Sequence, residues 1–195
     1  HFAGVADTIG PKYIKLSADI DLSIYGESFD GGKGWPGIND FKGTFDGGNY
    51  TISNLFINRR TTDYVGLFQK ISTGGVVKNL NISNANVYGK NYVGILAGCI
   101  TKANTKAENI YTLPGCVIKG TQRVGGIAGS ILQGGNAYYC YNAADVLIND
   151  DLSSNYVGGI SGEFAPGNVA SKISNCVNTG KVSTRDALYT TGSNG

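Results

Sequence analysis

A phrase built on valine and glycine returns four times along the chain, and this repetition restricts the possible folds more than any other feature. Its valines are Val65, Val93, Val124 and Val157, spaced by 28, 31 and 33 residues. Each is followed by one or two glycines and then by apolar residues. A sequence that repeats every roughly 20 to 50 residues is typical of a solenoid, in which each repeat buries its apolar face only by stacking on its neighbours.

Two further phrases recur between the valine phrases. The second is led by asparagine or tyrosine and reads Asn54-Leu55, Asn79-Leu80, Asn109-Ile110, Tyr139-Cys140 and Asn175-Cys176. The third carries a valine, at Val87, Val117, Val146 and Val182. Each period therefore holds three short apolar runs separated by Gly, Asn, Ser and Thr, which is the pattern of strands joined by turns.

These runs predict an all-β fold, a right-handed parallel β-helix with three sides and about 30 residues per coil. No window of ten or more residues shows the apolar spacing of a helix. Right-handedness is expected because parallel crossover connections have that hand in about 98% of cases. A β-sandwich is the main alternative, but that fold gives no reason for the same short sequence motifs to recur at a constant spacing.

Two interior rows follow from the repeat. We expect Val65, Val93, Val124 and Val157 to form the first, and Leu55, Leu80, Ile110, Cys140 and Cys176 to form the second. Strict alternation would place Val65 and Phe68 on opposite faces, yet both positions stay apolar in the copies. Glycines permit a bend that turns both residues inward, so we expect a corner at the valine phrase.

Charge and composition exclude several classes of partner. Net charge is +2 and the lysines are dispersed, so no basic stripe exists to bind a nucleic acid. The longest apolar run, residues 93–100, is interrupted by glycine and is far shorter than the roughly 20 residues of a membrane helix, so no membrane span is expected. Hydrophobic residues make up 41% of the chain, enough to form a core, so we expect it to be folded throughout.

The stretch from Phe41 to Leu55, which contains Phe45-Asp46-Gly47-Gly48, closely resembles GLUG-motif repeats when it is taken with the valine phrases that follow. The resemblance covers about residues 13–183. It implies an extracellular scaffold of a large bacterial surface or secreted protein, such as an adhesin-like protein or the non-catalytic region of an IgA-specific metallopeptidase. Within a single solenoid fragment of residues 1–195 we divide a lead-in at 1–40, GLUG-like repeats at 41–182 and a truncated coil at 183–195.

Catalytic groups are sparse. The single histidine is His1, so neither a Ser-His-Asp nor a Cys-His arrangement is available in the body of the chain. We therefore expect no enzymatic activity and no cofactor. A β-helical carbohydrate-active enzyme would need clustered carboxylates. Instead, Asp145, Asp150, Asp151 and Glu163 fall at unrelated positions in the repeat, which favours a solvated surface.

Metal sites are not expected either. The cysteines Cys99, Cys116, Cys140 and Cys176 contain no C-x-x-C pair, which argues against structural zinc. Cys140 and Cys176 fit inward-stacked thiols, with a disulfide between adjacent coils as the alternative. A Cys99–Cys116 bridge also stays open. The two Phe-Asp-Gly-Gly segments, at 29–32 and 45–48, are interpreted as tight turns, since calcium-binding repeats occur in tandem.

The residue before each valine is the candidate ligand-binding position: Tyr64, Tyr92, Arg123 and Tyr156. Equivalent positions stack along a solenoid, so these side chains should form a ladder that could contact a glycan or a protein. The alternative is that the ladder only stabilises the stack.

The function predicted from these features is a non-catalytic structural or adhesive segment of an extracellular or surface-attached protein. Its expected partners are flanking domains of the same chain and host or cell-surface glycans or proteins. A carbohydrate-binding module and a β-helical lyase or hydrolase are the alternatives.

Overall fold

The computed structural model describes residues 12–148, 156–165 and 167–184. In chain order its strands are β1 Tyr13–Lys15, β2 Ile20–Asp21, β3 Thr44–Asp46, β4 Thr51–Ser53, β5 Phe56–Asn58, β6 Phe68–Ile71, β7 Val76–Ser83, β8 Asn86–Tyr88, β9 Asn91–Gly94, β10 Ala97–Thr101, β11 Thr105–Thr112, β12 Val117–Gly120, β13 Gln122–Gly125, β14 Ala128–Leu132, β15 Gly135–Tyr138, β16 Tyr141–Asn142, β17 Asp145–Ile148, β18 Val157–Gly158, β19 Ser161–Ala165, β20 Lys172–Ser174, β21 Val177–Asn178 and β22 Val182–Ser183. The helices of this part are two short 3-10 turns, Ser23–Tyr25 and Phe29–Gly32. Neither has the length or the apolar character needed to cross a bilayer.

The strands form parallel sheets that stack into the predicted solenoid. The largest sheet follows the path β1-β3-β7-β11-β15-β20, and β2, β4, β16 and β21 pair alongside it. The other sheets are β5-β8-β12-β17-β22, β6-β10-β14-β19 and β9-β13-β18. Pairing between neighbouring coils is parallel, as between β7 and β11, β8 and β12, and β10 and β14. The all-β solenoid expected from the repeat is confirmed.

Each full coil has four strand positions where the sequence predicts three. One coil runs through β8, β9, β10 and β11 and so visits all four sheets. The additional strand arises because the first residues of each valine phrase pair with the same residues in the neighbouring coils. This pairing forms a short sheet, separate from the sheet formed by the apolar residues that follow. β9 ends at Gly94 and β10 begins at Ala97 in another sheet, which is the corner predicted for this phrase.

The valine row is in register, as predicted. Val65 pairs with Val93, Val93 with Val124, and Val124 with Val157. The first three are buried in the core, whereas Val157 is half-buried. Phe68 is also buried, so the corner turns both apolar residues of the first copy inward.

The second interior row is right except for its first member. Leu80 pairs with Ile110, and the pairing of Tyr111 with Tyr141 places Cys140 next in the same row. Leu55 was wrongly assigned to it. Phe56 pairs with Asn86, which places Leu55 beside Ala85, and the row continues through Cys116 and Ala144. The error arises because residues 47–50 form an extra turn in the first copy. As a result, the asparagine phrase of this copy lies at the next corner of the coil, compared with the asparagine phrases of the later copies.

Paired glycines in the later valine phrases make room for polar side chains inside the coil. Asn142 is fully buried and its amide group bonds to Thr112, to the Ala144 carbonyl and to Asn178. A Cβ atom at Gly126 would lie 2.3 Å from the Asn142 side chain, far inside van der Waals contact. That Cβ atom would also lie 2.2 Å from the Gly159 carbonyl oxygen, so the second glycine of the phrase is required both by the backbone of the next coil and by the asparagine that faces it.

Part of the predicted domain division lies outside the described residues. Residues 1–11 of the lead-in and residues 185–195 of the predicted truncated coil are not among them. Within the lead-in, β1 pairs with β3 and β2 pairs with β4. Residues 13–21 thus already belong to the parallel stack.

Candidate functional site

The predicted surface ladder is assembled in the structure. The rings of Tyr64 and Tyr92 are stacked, with centroids 4.6 Å apart and planes within 7° of parallel. The Arg123 guanidinium continues the stack, 4.9 Å from the Tyr92 centroid and 5.3 Å from the Tyr156 centroid. All four predicted residues therefore meet in one column along the solenoid axis.

Two charged residues that the sequence analysis did not assign to this column complete it. Lys70 places its Nζ 4.0 Å from the Tyr64 centroid, and Glu163 accepts a hydrogen bond of 2.8 Å from Arg123 Nε. Both belong to one register row on β6, β10, β14 and β19, in which Cys99 and Ser130 lie between them. The row is hard to find in the sequence because the first valine phrase is one residue shorter than the others.

The backbone of the ladder explains the last glycine of the valine phrase. Tyr64, Tyr92 and Arg123 have φ values of 59°, 55° and 54°, a left-handed conformation that side-chain-bearing residues seldom adopt. This conformation brings the backbone of the three residues into close contact with the neighbouring strand. A Cβ atom on Gly98 would lie 2.5 Å from Tyr64 Cα, and one on Gly129 would lie 2.3 Å from the Tyr92 carbonyl carbon. Only glycine fits beneath the ladder at these points.

Stacking occupies the ring faces of the ladder's first tyrosines. Tyr64 lies between Lys70 and Tyr92, and Tyr92 lies between Tyr64 and Arg123. Burial, and then the neighbouring Tyr92, raises the pKa of the Tyr64 hydroxyl. What these two residues offer to solvent is mainly their edges and hydroxyl groups, so the geometry favours cohesion between coils over stacking on a ligand.

A second cation and ring stack lies on the sheet that contains β8. Arg60 is 5.0 Å and Lys119 is 5.5 Å from the centroid of Tyr88. Tyr88 and Lys119 are register partners on adjacent coils. Aromatic rings and cations of neighbouring coils are therefore stacked in two separate places on the surface.

An amide ladder runs along a corner of the largest sheet. Asn109 Nδ2 donates to Asn79 Oδ1 at 3.0 Å, and Asn79 Nδ2 donates to Asp46 Oδ1 at 3.1 Å. Both asparagines have φ 53°, which asparagine tolerates better than most residues. Burial opposes ionisation of Asp46, but bonds from the Gly48 N–H, Asn79 and Tyr13, together with Lys78 at 3.7 Å, outweigh it and hold its pKa below the ordinary 3.8.

We expect Asp46 to make the first coils sensitive to acid. Because its folded-state pKa is depressed, its ionisation stabilises the fold above about pH 4 and that contribution is lost as pH falls further. Asp46→Asn keeps an oxygen for the Gly48 and Asn79 bonds but removes the charge that attracts Lys78. The wild type should therefore have the higher unfolding midpoint at neutral pH, and the gap should close in acid. A gap that is constant or grows between about pH 6 and pH 3 would contradict this.

The four cysteines are free thiols in this structure. Cys140 and Cys176 lie on adjacent coils, with the Cys140 N–H 3.4 Å from Cys176 Sγ, as expected for stacked thiols. A hydrogen bond between the two thiols raises the pKa of Cys140 and lowers that of Cys176. Cys99 and Cys116 occupy different rows and form no bridge, and burial raises the pKa of both.

Acidic residues of the later coils are used as structural partners. Glu163 bonds to Arg123, and Asp145 accepts the backbone N–H of Lys181 at 3.2 Å. Asp150 and Asp151 lie outside the described residues. In the part of the chain that is described, no group of three or more His, Cys, Asp or Glu side chains could hold a metal ion.

These features define the chain as a parallel β-solenoid with surface ladders. It is similar to a crystal structure described as a "putative immunoglobulin A1 protease" from Bacteroides ovatus, with a TM-score of 0.69 over 91% of this chain and 62% of that chain. Sequence identity is 20%, so the likeness concerns the fold. No family model matches the chain.

Two curated proteins are similar in sequence. "Halomucin" from Haloquadratum walsbyi is 39% identical over 128 residues, which are 63% of this chain and 1% of that protein. A "Putative Gly-rich membrane protein" from Evansella cellulosilytica is 39% identical over 88 residues, which are 43% of this chain and 10% of that protein. The chain thus spans only a small part of the relatives it matches.

Proposed function

We propose that the chain is a non-catalytic structural and adhesive segment of a microbial surface or secreted protein, in which stacked coils extend or present other domains. The observation that carries this proposal is that outward-facing side chains contact each other from coil to coil, as in the stacked column of Tyr64, Tyr92, Arg123 and Tyr156. Such columns couple neighbouring repeats and so stiffen the stack.

The similar proteins support an extracellular setting. Halomucin and the Gly-rich membrane protein carry names that suggest surface proteins, and the structural relative is described as a "putative immunoglobulin A1 protease". The sequence resemblance to GLUG-motif repeats leads in the same direction. Flanking domains of the same chain, and glycans or proteins of a host or neighbouring cell, are the partners that such a segment would meet.

A variant with added coils tests the spacer role. Residues 93–123 span one full period, from one register valine to the residue before the next. Three further copies inserted after Arg123 should lengthen the particle by about 14 Å, three coil spacings of roughly 4.8 Å, without lowering its unfolding midpoint. Small-angle scattering measures the length and calorimetry measures the midpoint. An unchanged length, or a large loss of stability, would contradict a modular spacer.

The enzymatic alternative has a separate test. A β-helical glycoside hydrolase or lyase would release reducing ends from polysaccharides, whereas the proposed segment should release none above a heat-denatured sample. The arrangement of Glu163 supports this expectation, because its carboxylate is held by Arg123. Release by the native chain above that sample would overturn the non-catalytic assignment, and its loss in Glu163→Gln would identify Glu163 as the catalytic carboxylate.

A further inference from the structure

Tyr139 interrupts the amide ladder at a position where other coils carry asparagine. Asn79, Asn109 and Asn175 have φ values of 53°, 53° and 55°, and Tyr139 has φ 53°. Asparagine enters this left-handed region readily, whereas a bulky aromatic residue does so at a cost in stability. Tyr139 is also 51% exposed, so burial of its ring does not offset that cost.

Two more tyrosines adjoin Tyr139 along the chain and across neighbouring coils. Tyr141 follows Tyr139 after one inward residue, and Tyr111 is the register partner of Tyr141 on the preceding coil. The Tyr111 and Tyr141 rings are 6.3 Å apart and tilted by 34°. Tyr111 is 41% exposed. We call Tyr111, Tyr139 and Tyr141 the tyrosine patch.

The patch differs from the Tyr64 and Tyr92 ladder in its open ring faces. Those ladder rings are packed between a cation and another ring, whereas within the described residues Tyr111 and Tyr141 have only each other as a tilted ring partner. The tilt leaves ring surface of the exposed Tyr111 open to solvent, whereas Tyr141 is half-buried between Tyr111 and its other register partner, Val177. Such faces are apolar platforms edged by hydroxyl groups.

Polar groups suited to hydroxyl ligands border the patch. Asn109 donates its amide N–H to Asn79 on the preceding coil, which leaves its amide oxygen outside that bond, and Tyr139 at the equivalent position of the next coil offers no amide to continue the ladder. The Tyr141 hydroxyl is held 2.8 Å from Thr179 Oγ1. These oxygens lie beside the open rings and can exchange hydrogen bonds with a bound molecule.

The charged residues on the strand that carries Tyr111 pair with each other. Lys106 Nζ lies 2.7 Å from Glu108 Oε2, and both residues are on β11 with Tyr111. Stacking faces, hydroxyl and amide groups and the paired charges of β11 together match a neutral sugar, which has apolar C–H faces and many hydroxyl groups. They do not match an acidic polymer, for which a cluster of unpaired cations would be expected.

We propose that the tyrosine patch is a binding site for a neutral polysaccharide, with sugar rings stacked on Tyr111, Tyr139 and Tyr141. The strained backbone of Tyr139 is retained because its ring contacts the ligand. This site is separate from the spacer role, so either proposal can fail while the other stands.

Affinity electrophoresis tests the site, with dextran, laminarin or galactomannan cast in the gel and alginate as an acidic comparison. The wild type should be retarded by at least one neutral polysaccharide. Tyr139→Asn and Tyr111→Thr should each weaken the association roughly tenfold. Tyr139→Asn should at the same time raise the unfolding midpoint, because asparagine fits the left-handed backbone and can rejoin the amide ladder. A loss of binding in this variant therefore cannot be ascribed to unfolding.

Tyr50→Thr is the matched control, because Tyr50 is an exposed tyrosine earlier in the stack and outside the patch. It should bind as the wild type does. The proposal is overturned if no neutral polysaccharide retards the wild type, if alginate alone does, if Tyr139→Asn binds normally, or if Tyr50→Thr loses binding as much as the patch variants.

Discussion

Gly129→Ala should destabilise the protein by roughly 3 kcal/mol or more, a large part of the 5 to 15 kcal/mol typical of a folded domain. The added Cβ atom would lie 2.3 Å from the carbonyl carbon of Tyr92 and 2.4 Å from Val93 N. Backbone atoms cannot rotate away as a side chain can. The Tyr92 carbonyl is also fixed by a 3.0 Å hydrogen bond from Val65 N, so relief would require two coils to separate.

Gly115→Ala is the control for this substitution. Gly115 has φ 88°, but a Cβ atom there would meet nothing within 4 Å, so its replacement should cost only about 1 kcal/mol of backbone strain. Urea unfolding of the two variants measures the difference. If Gly129→Ala is no less stable than Gly115→Ala, the close approach of the ladder backbone to β14 is wrong.

Replacement of Ile110 with aspartate should unfold the neighbouring coils. Ile110 is fully buried between Leu80 and Cys140 in the second interior row. A carboxylate there would have no partner, and an unpaired buried charge costs roughly 3 to 5 kcal/mol in addition to the lost apolar contacts. Val124→Asp should behave in the same way, since Val124 is also fully buried.

Tyr111→Asp separates burial from charge. Tyr111 is the next residue on the same strand but faces outward, so an aspartate there stays hydrated and should lower the midpoint far less. Thermal unfolding followed by circular dichroism compares the three variants. Full retention of the midpoint in Ile110→Asp would show that the interior register of β11 is wrong.

Sequence patterns predicted the parts of the structure that repeat without interruption. The valine row emerged because a valine followed by glycine occurs once per coil and stays in the same register. The column of Tyr64, Tyr92, Arg123 and Tyr156 followed from it, because a residue next to a register valine must itself be stacked. Its assignment as a ligand-binding site stays a prediction.

What the sequence could not reveal depends on irregular copies and on backbone conformation. Leu55 was misplaced because the extra turn at residues 47–50 breaks the count in the first copy. The places of Lys70 and Glu163 in the column were missed for a similar reason, since they lie five and six residues after their valines. Tyr139 stood out in the sequence only as a substitution for asparagine. Its meaning emerged once φ and exposure were known.

Register valines pair directly although their spacings along the chain are 28, 31 and 33 residues. Extra or missing residues between the paired strands therefore do not shift the sheets. The length of the stack along its axis and the circumference of each coil are therefore independent. The spacing of parallel strands fixes the axial length, and the length of the segments between strands sets the circumference. A protein built in this way can acquire or lose a surface loop without any change in how far it reaches.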